Sequence, residues 1–146
     1  MKALNLQPYN YKLKNSENKT YIFDVIRKKY VLLTPEEWVR QHVVHFLINN
    51  KGYPKSLINV EKQLLVNNLK KRTDIIVFSK TGTPHIIVEC KAPSIKITQK
   101  TFDQISRYNL KIKAKYLMVT NGLTHYFAEL DSQNECFIFL KDIPKY

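Results

Sequence analysis

The chain has 146 residues, 44% of them hydrophobic and 25% charged, a composition typical of one globular domain and unlike that of a fibrous or disordered chain. Lys and Arg outnumber Asp and Glu by 24 to 12, and the net charge of +12 favours a polyanionic partner such as nucleic acid. No apolar run suits a signal peptide or a membrane span, and the two cysteines form no CxxC pair. We therefore expect a cytoplasmic protein that has no structural zinc site and does not bind membranes.

The N-terminal part of the chain divides at about residue 20. Residues 1–20 mix Asn, Lys and Tyr without a steady period, which predicts an arm that is ordered in part at best. Residues 21–33 are rich in β-branched and aromatic side chains and favour a strand or hairpin packed on the body. We expect an N-terminal arm over 1–20 and a single domain over 21–146.

A helix is predicted to begin directly after Thr34. Thr34 can cap it, Pro35 suits the first helical position, and Glu36 and Glu37 favour the positive end of the helix dipole. Apolar residues then follow at helical spacing, and Gly52 can adopt the left-handed conformation that ends a helix. The helix should therefore bury one face.

The rest of the chain alternates between β-like and helical patterns. Three runs with β character come first, with a turn at Gly82 between the last two: 57–66, 74–78 and 85–91. A second helix is predicted over 98–112. Short apolar strands are predicted at 116–120, 124–130 and 136–140. This order predicts an α/β fold with a mixed β-sheet flanked by helices.

Charged residues border two of the predicted strands. Side chains alternate along a strand, so Glu89 and Lys91 point to the same face, and a hairpin turn would bring Asp74 beside Glu89. Two neighbouring carboxylates are costly to bury unless a cation compensates their charge, and Mg²⁺ prefers such oxygen ligands. The pattern thus predicts a magnesium site.

Asp74 followed by Glu89-Cys90-Lys91 resembles the core motif of the PD-(D/E)XK nuclease superfamily. The chain is more specifically similar to the N-terminal nuclease domain family of type I restriction enzyme R proteins. Five segments between residues 20 and 130 carry this similarity: TPEEWVRQ, KRTDIIVF, VECKAP, Gln104 to Tyr108, and TNG. The resemblance implies a restriction-endonuclease-like core and a DNA nuclease dependent on Mg²⁺ or Mn²⁺, related to restriction or repair.

The same resemblance implies roles for individual residues. Asp74, Glu89 and the backbone carbonyl of Cys90 correspond to metal ligands, and Lys91 corresponds to the catalytic lysine. Glu37 matches an acidic residue on the helix that helps the metal site, although Glu36 beside it leaves the choice between the two open. Gln104 matches a residue that supports catalysis.

The second predicted helix is the expected DNA-binding surface. Tyr108 lies four residues after Gln104 and on the same helix face, where the resemblance implies contact with DNA or the active site. Basic residues surround this helix and could contact phosphates, although a solvated helix face would show the same pattern. The candidates for this contact are Lys96, Lys100, Arg107 and Lys111.

Two features depart from the family pattern. Thr73 stands where many members have proline, and no GxxxxGK[ST] phosphate loop occurs among the three glycines, so these residues contain no ATP-driven motor. DNA, restriction or helicase subunits and a second copy of the chain are the expected partners. Two alternatives stay open: a non-catalytic nucleic-acid-binding module that keeps the nuclease fold, and a structural subunit whose basic face docks on an acidic protein.

Overall fold

A computed structural model describes all of residues 1–146. The first three strands and the first helix are β1 (Leu13–Ser16), β2 (Lys19–Asp24), β3 (Lys29–Leu32) and α1 (Pro35–His45). Five strands follow: β4 (Ile58–Val60), β5 (Gln63–Val66), β6 (Leu69–Arg72), β7 (Ile75–Phe78) and β8 (Pro84–Cys90). The chain continues with α2 (Gln99–Asn109), β9 (Tyr116–Thr120), β10 (His125–Asp131) and β11 (Cys136–Leu140).

The central sheet is mixed, as predicted. Its six strands have the order β11-β10-β9-β8-β7-β4, and only β8 and β9 run parallel to each other. A parallel pair needs a crossover connection, and helix α2 supplies it. Strands β1 to β3 form a separate antiparallel sheet, and β5 pairs with β6 in a hairpin. The predicted α/β class is therefore confirmed.

The two helices pack in different hydrophobic clusters, built from alternate residues of the central strands. Helix α1 contributes Val39 and Val43 to the cluster that contains Ile75 and Val88. Helix α2 contributes Phe102 to a second cluster. This second cluster includes Ile76, Ile87, Leu117 and Val119. Since side chains alternate along a strand, the two clusters lie on opposite faces of the sheet.

Both helices begin at a capping threonine. The Thr34 Oγ1 accepts a hydrogen bond of 3.0 Å from the Glu37 N–H, and the Thr98 Oγ1 accepts one of 3.1 Å from the Thr101 N–H. Helix α1 continues as a π-helical turn, and Gly52 follows with a φ of +76°, the left-handed conformation expected from the sequence. No helix is long and apolar enough to cross a membrane.

Two regions differ from the predictions. Residues 1–20 contain β1 and the start of β2, and the Trp38 Nε1 donates a hydrogen bond of 2.8 Å to the Lys2 carbonyl oxygen. These contacts involve isolated residues, which leave no periodic pattern in the sequence. The predicted strand 57–66 is instead divided between β4 and β5, because Glu61 adopts a left-handed φ of +53° that interrupts extended structure.

Candidate active site

The hairpin of β7 and β8 brings Asp74 and Glu89 together. Ile75 pairs with Val88 in the antiparallel register, which places Asp74 opposite Glu89 at the end of the two strands. The Cys90 N–H donates a hydrogen bond of 2.7 Å to the Asp74 Oδ2. The juxtaposition expected from the hairpin is therefore present.

An arginine of helix α1 holds the second oxygen of Asp74. The Arg40 Nη2 lies 3.1 Å from the Asp74 Oδ1, and the Arg40 Nη1 lies 2.7 Å from the Glu37 Oε1. Arg27 and Gln41 also donate to Glu37, at 2.9 Å and 3.0 Å. Glu37 is thus linked to Asp74 through Arg40, and its help to the metal site stays a prediction.

Glu36, the neighbouring acid, is half-buried. Burial raises the pKa of Glu36, and the nearby charge of Asp74 raises it further. The charges of Arg40 and Lys91 oppose this rise. Both helix acids therefore lie close to the site: Glu37 shares its partner Arg40 with Asp74, and the charge of Asp74 affects the pKa of Glu36.

A buried ion-pair network extends from Arg27 and Arg40. Arg27 binds Asp24 at 2.5 Å and Glu61 at 3.1 Å, and Arg40 lies 3.5 Å from Glu61. Glu61 thus pairs with both arginines. Asp24, Arg27 and Arg40 were not predicted as site residues, because nothing in their local sequence distinguishes them from exposed charges.

Burial changes the protonation of Glu89. Its side chain is 18% exposed. Burial raises the pKa of Glu89 to about 7, and the neighbouring carboxylate of Asp74 adds to the rise. The two carboxylates therefore repel each other when both are ionised.

Lys71 of the β5–β6 hairpin is a further site residue that the sequence did not indicate. The residue is 5% exposed, and its Nζ lies 3.8 Å from the Glu89 Oε1. The ammonium donates to the Asn109 Oδ1 and lies 4.0 Å from the centroid of the Tyr108 ring. Burial lowers the pKa of Lys71. A hairpin outside the central sheet thus supplies a cation to Glu89.

Replacing Glu89 with glutamine is expected to stabilise the protein at alkaline pH in the absence of divalent metal. The pKa of Glu89 is near 4.5 in an unfolded chain and about 7 when folded, so ionisation increasingly disfavours the folded state as the pH rises through this range. Glu89→Gln removes this penalty, and we expect a gain of about 3 kcal/mol in the free energy of unfolding at pH 8. Urea unfolding measures it.

The two proteins should become equally stable toward pH 4, where Glu89 is protonated in both the folded and the unfolded state. Glu17→Gln, which removes an exposed carboxylate from a surface turn, is the matched control. Stability curves of wild type and Glu89→Gln that stay parallel from pH 4 to pH 8 would contradict the raised pKa.

Lys91 directly follows the end of β8. Its N–H donates a hydrogen bond of 2.8 Å to the Thr120 carbonyl oxygen of β9, and its side chain is half-buried.

Thr73, which stands where many family members have proline, directly follows β6. Its N–H donates a hydrogen bond of 3.0 Å to the Lys62 carbonyl oxygen. Proline has no N–H, so a proline at position 73 could not form this hydrogen bond.

The residues predicted on the second helix lie on one side of the site. Gln104 and Tyr108 line a cavity together with Glu89, and Arg107 and Lys111 line the adjoining cavity. Lys96 and Lys100 are exposed but line neither cavity. The structure therefore brings Gln104, Tyr108, Arg107 and Lys111 together and leaves the other two lysines apart.

The acidic residues offer few ligands for a metal ion. No group of three or more His, Cys, Asp or Glu side chains is arranged to hold a metal. Asp74 and Glu89 nevertheless face each other, and burial together with the charge of Asp74 raises the pKa of Glu89. A divalent cation would offset both effects. Mg²⁺ retains several waters and is often bound by one or two carboxylates, so the pair fits this ion.

Comparison with known proteins identifies the family of the chain. No curated protein sequence matches the chain significantly. The family model for the type I restriction enzyme R protein N terminus matches residues 35–144, which include α1, the β7–β8 hairpin and α2. Asp74, Glu89 and Lys91 lie within the matched residues. The chain belongs to the family of type I restriction enzyme R protein N-terminal domains.

Proposed function

We propose that this restriction-related domain is a metal-dependent nuclease that hydrolyses phosphodiester bonds in DNA. The observation that carries the proposal is the pair of Asp74 and Glu89 at the end of two neighbouring strands, with Lys91 directly after the second strand. Burial raises the pKa of Glu89 and the charge of Asp74 raises it further, even though Lys71 lies 3.8 Å from Glu89 and Arg40 lies 3.1 Å from Asp74.

Asp74 and Glu89 would hold the metal ion, with Glu36 nearby and the Cys90 carbonyl as a further predicted ligand. A bound Mg²⁺ or Mn²⁺ polarises a phosphoryl oxygen and lowers the pKa of a water molecule. Arg40 and the Cys90 N–H fix the orientation of the Asp74 carboxylate by bonds of 3.1 Å and 2.7 Å. Asp74 is thus preorganised before any metal binds.

Lys91 and Gln104 would act on the substrate. The Lys91 ammonium lies close enough to Glu89 to oppose the rise of its pKa, so it can position the attacking water or neutralise a phosphate oxygen. Gln104 is exposed beside Glu89 and has a free side-chain amide for hydrogen bonds.

DNA is the proposed substrate, and restriction or helicase subunits are the proposed partners. Dimerisation, which would allow both strands to be cut, remains a prediction.

Cleavage of plasmid and single-stranded DNA in Mg²⁺ or Mn²⁺ tests the proposal directly. We expect cleavage that EDTA abolishes and that returns when the divalent metal is restored in excess. A thermal shift supplies a second measurement, because metal binding to the folded protein raises the unfolding temperature. Asp74→Asn should lose this shift.

The non-catalytic alternative predicts a different result. DNA binding that persists in EDTA, with no cleavage under either metal and no thermal shift, would replace the nuclease with a binding module that has kept the family fold. Salt-sensitive association with an acidic protein, but not with DNA, would indicate the structural subunit.

A further inference from the structure

A groove separates the β5–β6 hairpin from helix α2. Its volume is about 430 Å³, which falls in the range of small-ligand sites. Val66 and Leu69 of the hairpin form an apolar wall, and Tyr108 of α2 lies in the groove with 62% of its surface exposed. The groove is therefore apolar and aromatic at its walls and open to solvent.

The hairpin has two chemically different faces. Val66 pairs with Leu69 on the face that lines the groove, whereas Leu65 pairs with Lys70 on the opposite face. Leu69 and Leu65 are 71% and 74% exposed. Two leucines with nearly equal exposure thus differ in whether they line the groove.

The charged residues of the groove are all basic. Lys71, Arg107 and Lys111 line it, and no carboxylate does. Neither Arg107 nor Lys111 forms an ion pair with an acidic side chain. Unpaired cations beside an exposed aromatic ring suit a ligand that carries both phosphates and flat rings.

The groove leads to the candidate active site. Lys71, Gln104 and Tyr108 line both this groove and an adjoining cavity of about 310 Å³ that reaches Glu89. The Lys71 ammonium, 4.0 Å from the centroid of the Tyr108 ring, also holds that ring in place. A strand lying in the groove would therefore be directed toward Glu89.

We propose that the groove binds an unpaired segment of a DNA strand, with a base stacked on Tyr108 and its phosphates on Arg107 and Lys111. A base in an intact duplex is stacked and paired, so it cannot enter a groove of this size without leaving the helix. Stacking on an aromatic side chain requires a free base face, which single-stranded DNA provides. The inference rests on the proposed function for its substrate and for the direction of the strand toward Glu89.

Fluorescence anisotropy with a labelled oligonucleotide, alone and annealed to its complement, tests the inference. Binding is measured in EDTA at low salt, so the outcome does not depend on catalysis. We expect tighter binding of the single strand, weakened about ten-fold by Tyr108→Ala and by Leu69→Asp. Tyr108→Phe, which keeps the ring, should bind as wild type does.

Leu65→Asp is the matched control, because it adds the same charge to the same hairpin outside the groove. It should change single-strand affinity by less than about three-fold, since a single exposed charge acts weakly across solvent. Equal weakening by Leu65→Asp and Leu69→Asp, or equal affinity for duplex and single strand, would overturn the inference. Groove-dependent binding without metal-dependent cleavage would instead overturn the proposed function and leave the binding groove standing.

Discussion

Replacing Lys91 with alanine is expected to reduce DNA cleavage by more than about a hundred-fold, the scale on which loss of a charge-stabilising or proton-transferring group lowers enzyme rates. The fold should tolerate this change. The Lys91 backbone N–H keeps its bond to the Thr120 carbonyl oxygen, and its side chain forms no ion pair whose loss would leave a buried carboxylate. Cleavage rates at matched metal concentration, together with thermal unfolding, measure both effects.

Lys80→Ala provides the control for removing one positive charge. Lys80 is exposed in the turn between β7 and β8, at the opposite end of these strands from Asp74. Its variant should cut DNA at nearly the wild-type rate. If Lys91→Ala also retained that rate, Lys91 would have no catalytic role, whereas equal losses in the two variants would indicate only weaker general attraction of DNA.

The pairing of Asp74 with Glu89 could be predicted because it depends on local rules. Alternating side chains assign faces within 85–91, and one hairpin turn determines which residues of two consecutive strands meet. The capped starts of α1 and α2 depend on equally local signals at Thr34 and Thr98. The central sheet and the core of the candidate site therefore followed from the sequence.

The surroundings of these carboxylates depend on contacts between distant parts of the chain. Arg40 and Asp74 are 34 positions apart, and Lys71 reaches Asn109 across 38 positions. Charged residues usually lie at the surface, so composition and spacing gave no reason to bury Lys71 or Arg40. The contact of Glu37 with Arg27, ten positions away, follows from packing of the same kind.

Replacing Arg40 with methionine is expected to lower the free energy of unfolding by about 3 kcal/mol. The Arg40 side chain is 6% exposed and lies 2.7 Å from Glu37 and 3.1 Å from Asp74. Methionine fills much of the same space but leaves both carboxylates without this cation, and a buried charge without its partner is costly. Urea unfolding at neutral pH measures the loss.

Asp142→Asn is the contrasting control, because it breaks the ion pair of Lys51 with an Asp142 side chain that is 55% exposed. That variant should lose less than about 1 kcal/mol. Equal stability of the two variants would show that Arg40 contributes little to the fold.

Because one guanidinium joins Glu37 to Asp74, Arg40→Met should also slow DNA cleavage under conditions where the variant remains folded. A folded variant with wild-type cleavage would mean that Asp74 keeps its position through the Cys90 N–H alone.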